Sequence, residues 1–297
     1  MGDLNARLML IFLSIGWGVT WPIMKIALIE IPPLSMRMAT AGIGAVTLFV
    51  VARLRGHNIR IAGKTTWAHV AIGGVLNIVG FSLFSAFAQL SATTARVTIL
   101  TYTMPIWAGL LAWLFLGERL TIPRSVALTL CASGLAVLIY PLTSSGIPGG
   151  ILLAIGAGVS WAAGTVYLKW ARIGGDSVGF AAWQVVIGFV VIAACLPIFE
   201  GSPHLWPVSG PAIFGVVFTG IVGNGFAYVL WFEIIHRLPA MTASLGVLSV
   251  PVIGVVASMI VLGERPTFAD IVGFGLIFAA SACVMIWPQE QIADRAE

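Results

Sequence analysis

Six short stripes of aromatic and neutral polar residues, spaced by three or four positions, are the parts of this sequence that could do chemistry. Ser14, Trp17, Gly18, Trp21 and Lys25 follow that spacing, and Trp161, Thr165 and Lys169 repeat it. Asn77, Phe81 and Ser85 form a third stripe, and Asn224, Tyr228 and Trp231 a fourth. Thr98, Tyr102 and Pro105 make the fifth; Ser244, Leu248 and Pro251 make the sixth. On an α-helix such steps keep side chains on one face. The chemistry open to these faces is non-covalent: rings stack on a flat apolar body, and amides or hydroxyls orient it. The competing account is structural, with Asn, Ser and Thr as glue between helices and tryptophans as an interfacial belt. Each residue alone fits either account; six parallel stripes favour a pocket. The candidate substrate-binding residues are therefore Trp17, Trp21, Asn77, Phe81, Ser85, Thr98, Tyr102, Trp161, Thr165, Asn224, Tyr228, Trp231 and Ser244. Pro105 and Pro251, which break the backbone ladder, are candidate hinges, with a static kink as the alternative.

Catalysis finds no support. An enzyme site inside apolar segments would need a Ser/His pair, paired aspartates or a His-rich metal cluster. His69 is the one histidine within such a segment, and Cys131, Cys195 and Cys283 each sit alone. No G-x-x-x-x-G-K-[ST] loop occurs, so ATP is not expected to power this chain. No cofactor and no metal is expected, and no catalytic residue is assigned. A channel filter would need repeated polar loops or an oligomeric ring, and neither is visible.

The elements that must position the stripes follow from composition. Apolar residues make up 59% of 297 positions and charged residues 9%. Mean hydropathy is +1.04. A soluble domain needs roughly a quarter of its residues charged, so the solvent here is lipid. Apolar runs predict ten transmembrane helices at 8–29, 33–53, 66–88, 93–116, 121–140, 149–171, 177–197, 209–235, 239–262 and 267–287. The expected fold class is an all-α membrane protein, because continuous apolar runs exclude the ten-residue alternation of a barrel. The first run imitates a secretory signal but carries Trp17 and Trp21 and lacks a small-residue cleavage site, so it is expected to stay as the first helix.

Basic residues set the orientation. With the N-terminus inside, Arg7, Arg53, Arg55, Arg60, Lys64, Arg119, Arg124, Lys169, Arg172, Arg237 and Arg295 fall on the cytoplasmic side. Only Lys25, Arg37, Arg96 and Arg265 fall on the other. Both termini are expected in the cytoplasm, and the same bias accounts for the net charge of +4 without a nucleic-acid partner. Lys25, Arg37, Arg96 and Lys169 lie near span ends, where snorkelling to headgroups explains them.

The chain repeats itself. Leu116-Gly117-Glu118-Arg119-Leu120-Thr121 returns 146 residues later as Leu262-Gly263-Glu264-Arg265-Pro266-Thr267. Pro105 and Pro251 share that offset, as do Thr98 and Ser244, while Trp17 and Lys25 match Trp161 and Lys169 at 144. The expected domains are a first five-helix repeat at 1–146 and a second at 147–297. Five is odd, so the second must enter the membrane inverted, and inverted repeats commonly place a transport site at their interface. Gly117 and Gly263 suit left-handed helix ends, Thr121 and Thr267 can cap the helices that follow, and Thr267 has capping-box spacing to Asp270.

Trp17-Gly18 in the first helix, a proline midway along the fourth, and Leu-Gly-Glu-Arg-x-Thr after the fourth and ninth together resemble the EamA-type drug/metabolite transporters. The resemblance runs from about Leu8 to Trp287. It implies a central cavity between helices 1–4 and 6–9, with helices 5 and 10 on the periphery, in the bacterial inner membrane. Bacterial aromatic amino-acid exporters are the nearest subgroup. Small multidrug exporters carry a buried glutamate in the first helix, whereas Lys25 stands in this one. The expected function is a secondary transporter that exports small neutral or partly apolar metabolites, aromatic amino acids among them, by alternating access and uniport. A proton-coupled multidrug or metabolite exporter is the alternative. The expected partners are a small-molecule substrate and the lipid bilayer. Oligomeric state stays open, and a monomer is compatible.

Overall fold

The computed structural model describes residues 2–117, 122–142, 149–231 and 249–286. Every regular element among them is helical. This is what lipid demands, since a helix pairs its backbone groups within its own segment. We number the helical segments α1 (Gly2–Glu30), α2 (Pro33–Leu54), α3 (Lys64–Ser91), α4 (Thr94–Leu116) and α5 (Ile122–Ile139). The second half supplies α6 (Gly149–Ala171), α7 (Ser177–Phe199), α8 (Gly210–Trp231), α9 (Ser249–Leu262) and α10 (Phe268–Ile286). Among the described residues, α1–α4 and α6–α8 are long and apolar enough to cross a bilayer; α5, α9 and α10 are shorter apolar helices.

Helix ends follow their local chemistry. Gly117 and Gly263 adopt left-handed φ of 68° and 66°, which a side chain would strain. The Thr267 capping box forms: its N–H donates to Asp270 Oδ2 at 2.9 Å and its hydroxyl accepts from Asp270 N at 3.2 Å. Glu118, Arg119 and Thr121 lie outside the described residues. Glu264 does more than turn the chain. Its carboxylate accepts the Thr94 and Ala95 N–H groups at 2.6 and 2.9 Å, capping α4 in the other half. Glu200 caps α2 likewise through Leu34 N and Ser35 N, at 2.7 and 2.9 Å. Glu30 accepts from Ser209 N at 2.8 Å, at the start of α8.

Two features escaped the periodicity of the sequence. α3 widens into a π-helical stretch at Val75–Gly80, and α8 does so at Thr219–Phe226. Such stretches shift the register of all following side chains and recur at functional sites. α4 is interrupted at Tyr102 and Thr103, and Pro105 stands in the first turn of its second piece, Met104–Leu116. Pro105 has no N–H to offer the Thr101 carbonyl, which accounts for a break there.

Packing joins the halves. α2 lies against α7, α1 against α8 and α9, α6 against α3 and α4, and α5 against α10. Lipid gives no hydrophobic drive to these contacts, so close approach of small residues must hold them. Gly44 on α2 faces Asn224 so tightly that a Cβ would lie 2.5 Å from the asparagine Cβ. Gly188 on α7 faces Ile78 as closely: a Cβ there would lie 2.4 Å from Ile78 Cγ2. Both of these neighbours lie in the π-helical stretches.

Candidate binding cavity

A cavity of about 400 Å³ opens between the two halves. That volume holds one small organic molecule. α1 contributes Trp17, Thr20, Trp21 and Met24; α3 contributes Asn77, Phe81 and Ser82; α4 contributes Tyr102 and Met104. From the second half come Trp161 and Thr165 on α6, Gln184 on α7, Thr219, Asn224, Tyr228 and Trp231 on α8, and Pro251 on α9. α10, peripheral by resemblance, still reaches the lining with Ile277 and Phe278.

The rings form one connected wall. Trp161 lies between Phe81 and Tyr228, with centroids 5.0 and 6.1 Å away. Trp21 meets Phe81 and Tyr102 edge-on, each at 6.4 Å. Trp17 meets Tyr228 at 6.3 Å and Trp231 at 6.1 Å. Edge-on contacts of this kind leave ring faces free to stack on a guest. Polar groups interleave: Asn77 Nδ2 donates to Gln184 Oε1 at 3.3 Å, and Thr165 donates to the Trp161 carbonyl at 2.9 Å.

The structure thus gathers Trp17, Trp21, Asn77, Phe81, Tyr102, Trp161, Thr165, Asn224, Tyr228 and Trp231 around one space. It does not bring all candidates there. Thr98 is fully buried beside Gly254, and its hydroxyl is spent on the Thr94 carbonyl at 2.8 Å, so it packs helices. Ser85 is buried outside the lining and accepts a hydrogen bond from Arg37. Ser244 lies outside the described residues. Of the two hinge candidates, Pro251 lines the cavity, while Pro105 adjoins the break in α4.

Two expectations need correction. The thirteen candidates are all uncharged, whereas the cavity they were to line carries a charge, Arg37, at only 5% exposure. Nor do three of the four span-end cations reach for headgroups alone. Arg37 Nη2 donates to Ser85 Oγ at 2.7 Å, and Lys25 Nζ donates to the Gln89 carbonyl. Arg96 pairs with Asp270. Sequence reasoning also missed Gln184, Thr20 and Thr219. A signal for Arg37 did exist: it shares a helical face with Thr40, Gly44 and Leu48, the small-residue side of α2.

Comparison with known proteins decides the family. The model of the EamA-like transporter family matches residues 4–140 and again 148–286. The chain belongs to the EamA-like transporter family. A Bacillus subtilis relative named "Uncharacterized transporter YvbV" is 31% identical over 287 residues, covering 95% of this chain and 91% of the relative. A Streptantibioticus cattleyicolor relative named "Probable terminal-alkyne amino-acid exporter" is 23% identical over 295 residues, covering 97% and 95%. One solved crystal structure matches with a TM-score of 0.67 at 25% identity, over 95% of this chain and 96% of that one. The cavity is lined by residues from both matched segments. Among the described residues, no His, Cys, Asp and Glu cluster could hold a metal.

Proposed function

We propose that this EamA-like protein is a secondary transporter that exports small metabolites with a ring-bearing or otherwise apolar body from the cytoplasm. The observation that carries this reading is a cavity lined by aromatic and amide side chains from both halves. Transport, and not catalysis, is its use. The rings supply contact area, and Asn77, Gln184 and Asn224 supply orientation. The relative named "Probable terminal-alkyne amino-acid exporter" supports amino acids as the class of cargo, and the ring wall favours those with an apolar side chain.

Alternating access would run on two five-helix repeats of inverted orientation, 1–146 and 147–297, with ten spans in the inner membrane and both termini cytoplasmic. The packing supports this. Exchange of the halves turns α1–α9 into α6–α4, α1–α8 into α6–α3, and α2–α8 into α7–α3, and each of these pairs packs. The π-helical stretches support it too, since Val75 and Thr219 are 144 residues apart, the offset of Trp17 and Trp161. In that topology the α1–α2, α3–α4, α7–α8 and α9–α10 connections all face outward. Their end is closed by Glu30, Glu200 and Glu264 on the helix starts of the other half, and by Lys25 and Gln89. Gln89 Nε2 in turn donates at 3.2 Å to the carbonyl of Trp21, a residue of the cavity lining. Release of cargo outward must break these bonds while the inner end closes. Flux follows the substrate's own gradient, as uniport.

The test is uptake into proteoliposomes from a panel of amino acids, sugars, cationic dyes and nucleotides, with and without a pH gradient. Aromatic or apolar amino acids should enter in a protein-dependent way and without need of the pH gradient. Protein-dependent flux confined to cationic dyes and driven by the gradient would overturn the reading.

A further inference from the structure

The cavity holds a cation that helix packing does not require. Arg37 sits in the first turns of α2, 5% exposed, and is the one charged residue among the described lining. Its Nη2 bonds Ser85 Oγ, whose own proton is committed to the Ser82 carbonyl at 3.1 Å. Its Nε has no hydrogen-bond partner. The ion pairs of the described residues involve other groups, His57 with Asp176 and Arg96 with Asp270. A buried guanidinium without counter-charge is costly, and the cost is removed when a carboxylate arrives.

The second half of the chain provides an internal control. At the offset of 144 residues that relates Trp17 to Trp161, Arg37 corresponds to Ala181, which lines the same cavity from α7. An alanine therefore satisfies the fold at the equivalent place, and the arginine answers to what enters the cavity. Its surroundings agree. Thr219 Oγ1, also in the lining, lacks a partner, and the Tyr228 side chain lines the same cavity.

We infer that Arg37 anchors a carboxylate on the transported molecule. The Nε edge of the guanidinium, unpaired and covered in this structure, turns to receive the carboxylate, a planar group that matches its fork of donors. The ring wall of Trp21, Phe81 and Trp161 takes the apolar body. This rests on the cavity being the transport site and narrows the cargo to small organic acids with an apolar body, amino acids included. The described lining offers no carboxylate to receive a free amine.

The test is ligand binding to the full-length purified protein, read by tryptophan fluorescence and thermal shift, with a matched series of probes. 3-Phenylpropionate, phenylalanine, 3-phenylpropanamide and phenethylamine share one ring and differ in charge; acetate is the acid without the ring. The expected result is that 3-phenylpropionate and phenylalanine bind on the order of 100-fold more tightly than the amide or the amine. Arg37→Gln should abolish that preference, and Arg37→Lys should keep part of it. If Arg37→Gln does not fold, the wild-type series alone decides. Equal binding of acid, amide and amine would overturn the anchor and leave the aromatic wall standing. Arg37-dependent binding of acetate as tight as 3-phenylpropionate would support the anchor and remove the apolar-body reading. Binding of none of the probes would overturn both.

Discussion

Trp17 on α1 donates its indole N–H to the Gly223 carbonyl on α8 at 3.2 Å, across 206 positions of sequence. Gly223 lies in the π-helical stretch of α8. In the other half, the Ser160 hydroxyl on α6 donates to the Leu76 carbonyl at 2.7 Å, inside the π-helical stretch of α3. Each widened turn thus has a carbonyl held by the first helix of the opposite half. Trp17→Phe keeps a ring in the wall and removes the donor. It should cost about 0.5–1.5 kcal/mol of stability, read as a lowered Tm in detergent. An unchanged Tm would mean the bond carries no weight.

Ring contacts set the affinity of the cavity in this account. Trp161→Ala and Tyr228→Ala each remove contacts worth about 0.5–1.5 kcal/mol beyond area, so transport should fall from a few-fold to about tenfold. Size-exclusion profiles should stay close to wild type, because neither residue belongs to the fully buried packing. Normal transport by both variants would make the wall a packing feature.

Gly44 and Gly188 make room for the π-helical stretches. Gly44→Ala brings a Cβ to 2.5 Å from Asn224 Cβ, and Gly188→Ala brings one to 2.4 Å from Ile78 Cγ2. Each should destabilise by about 1–3 kcal/mol, the usual range for overpacking. Gly275→Ala, which meets nothing within 4 Å, is the control and should leave Tm unchanged. Equal Tm for all three would show that the helices separate easily.

Asp176, in the loop before α7, ties that helix to the α2–α3 loop. Its carboxylate accepts from Val178 N, Gly179 N and Asn58 N, and lies 3.1 Å from His57 Nδ1. Burial pushes the carboxyl up, but the N–H groups of Gly179 and Asn58 and the His57 ring outweigh it and hold it below its usual range. A depressed folded-state pKa gives stability that is present above the ordinary value, near 3.9, and lost as pH falls through the folded one. The Tm gap between wild type and Asp176→Asn should therefore be open near neutral pH and close as pH falls below about 4. A gap that stays fully open well below pH 4 would contradict this sign.

Much of the scaffold was legible because lipid leaves few options: long apolar runs must be helices, and Gly117, Gly263 and Thr267 mark their ends chemically. Ten of the thirteen cavity candidates line one space because aromatic residues alternating with amides at depth are hard to place against lipid. Thr98 was misread because a hydroxyl that serves its own backbone looks the same in sequence as one that faces cargo. Arg37 stands near a span end along the chain, yet it is buried and bonds Ser85 on α3, a partner 48 positions away that no local pattern reveals. The π-helical stretches were invisible, since an inserted turn changes register without changing composition.

Counterflow tests the central claim most directly. Proteoliposomes preloaded with unlabelled phenylalanine and diluted into a trace of labelled phenylalanine should accumulate label transiently, with a protonophore present, and Trp161→Ala should lower the peak. Accumulation no greater than in protein-free vesicles, with phenylalanine and with the other apolar amino acids alike, would contradict the account.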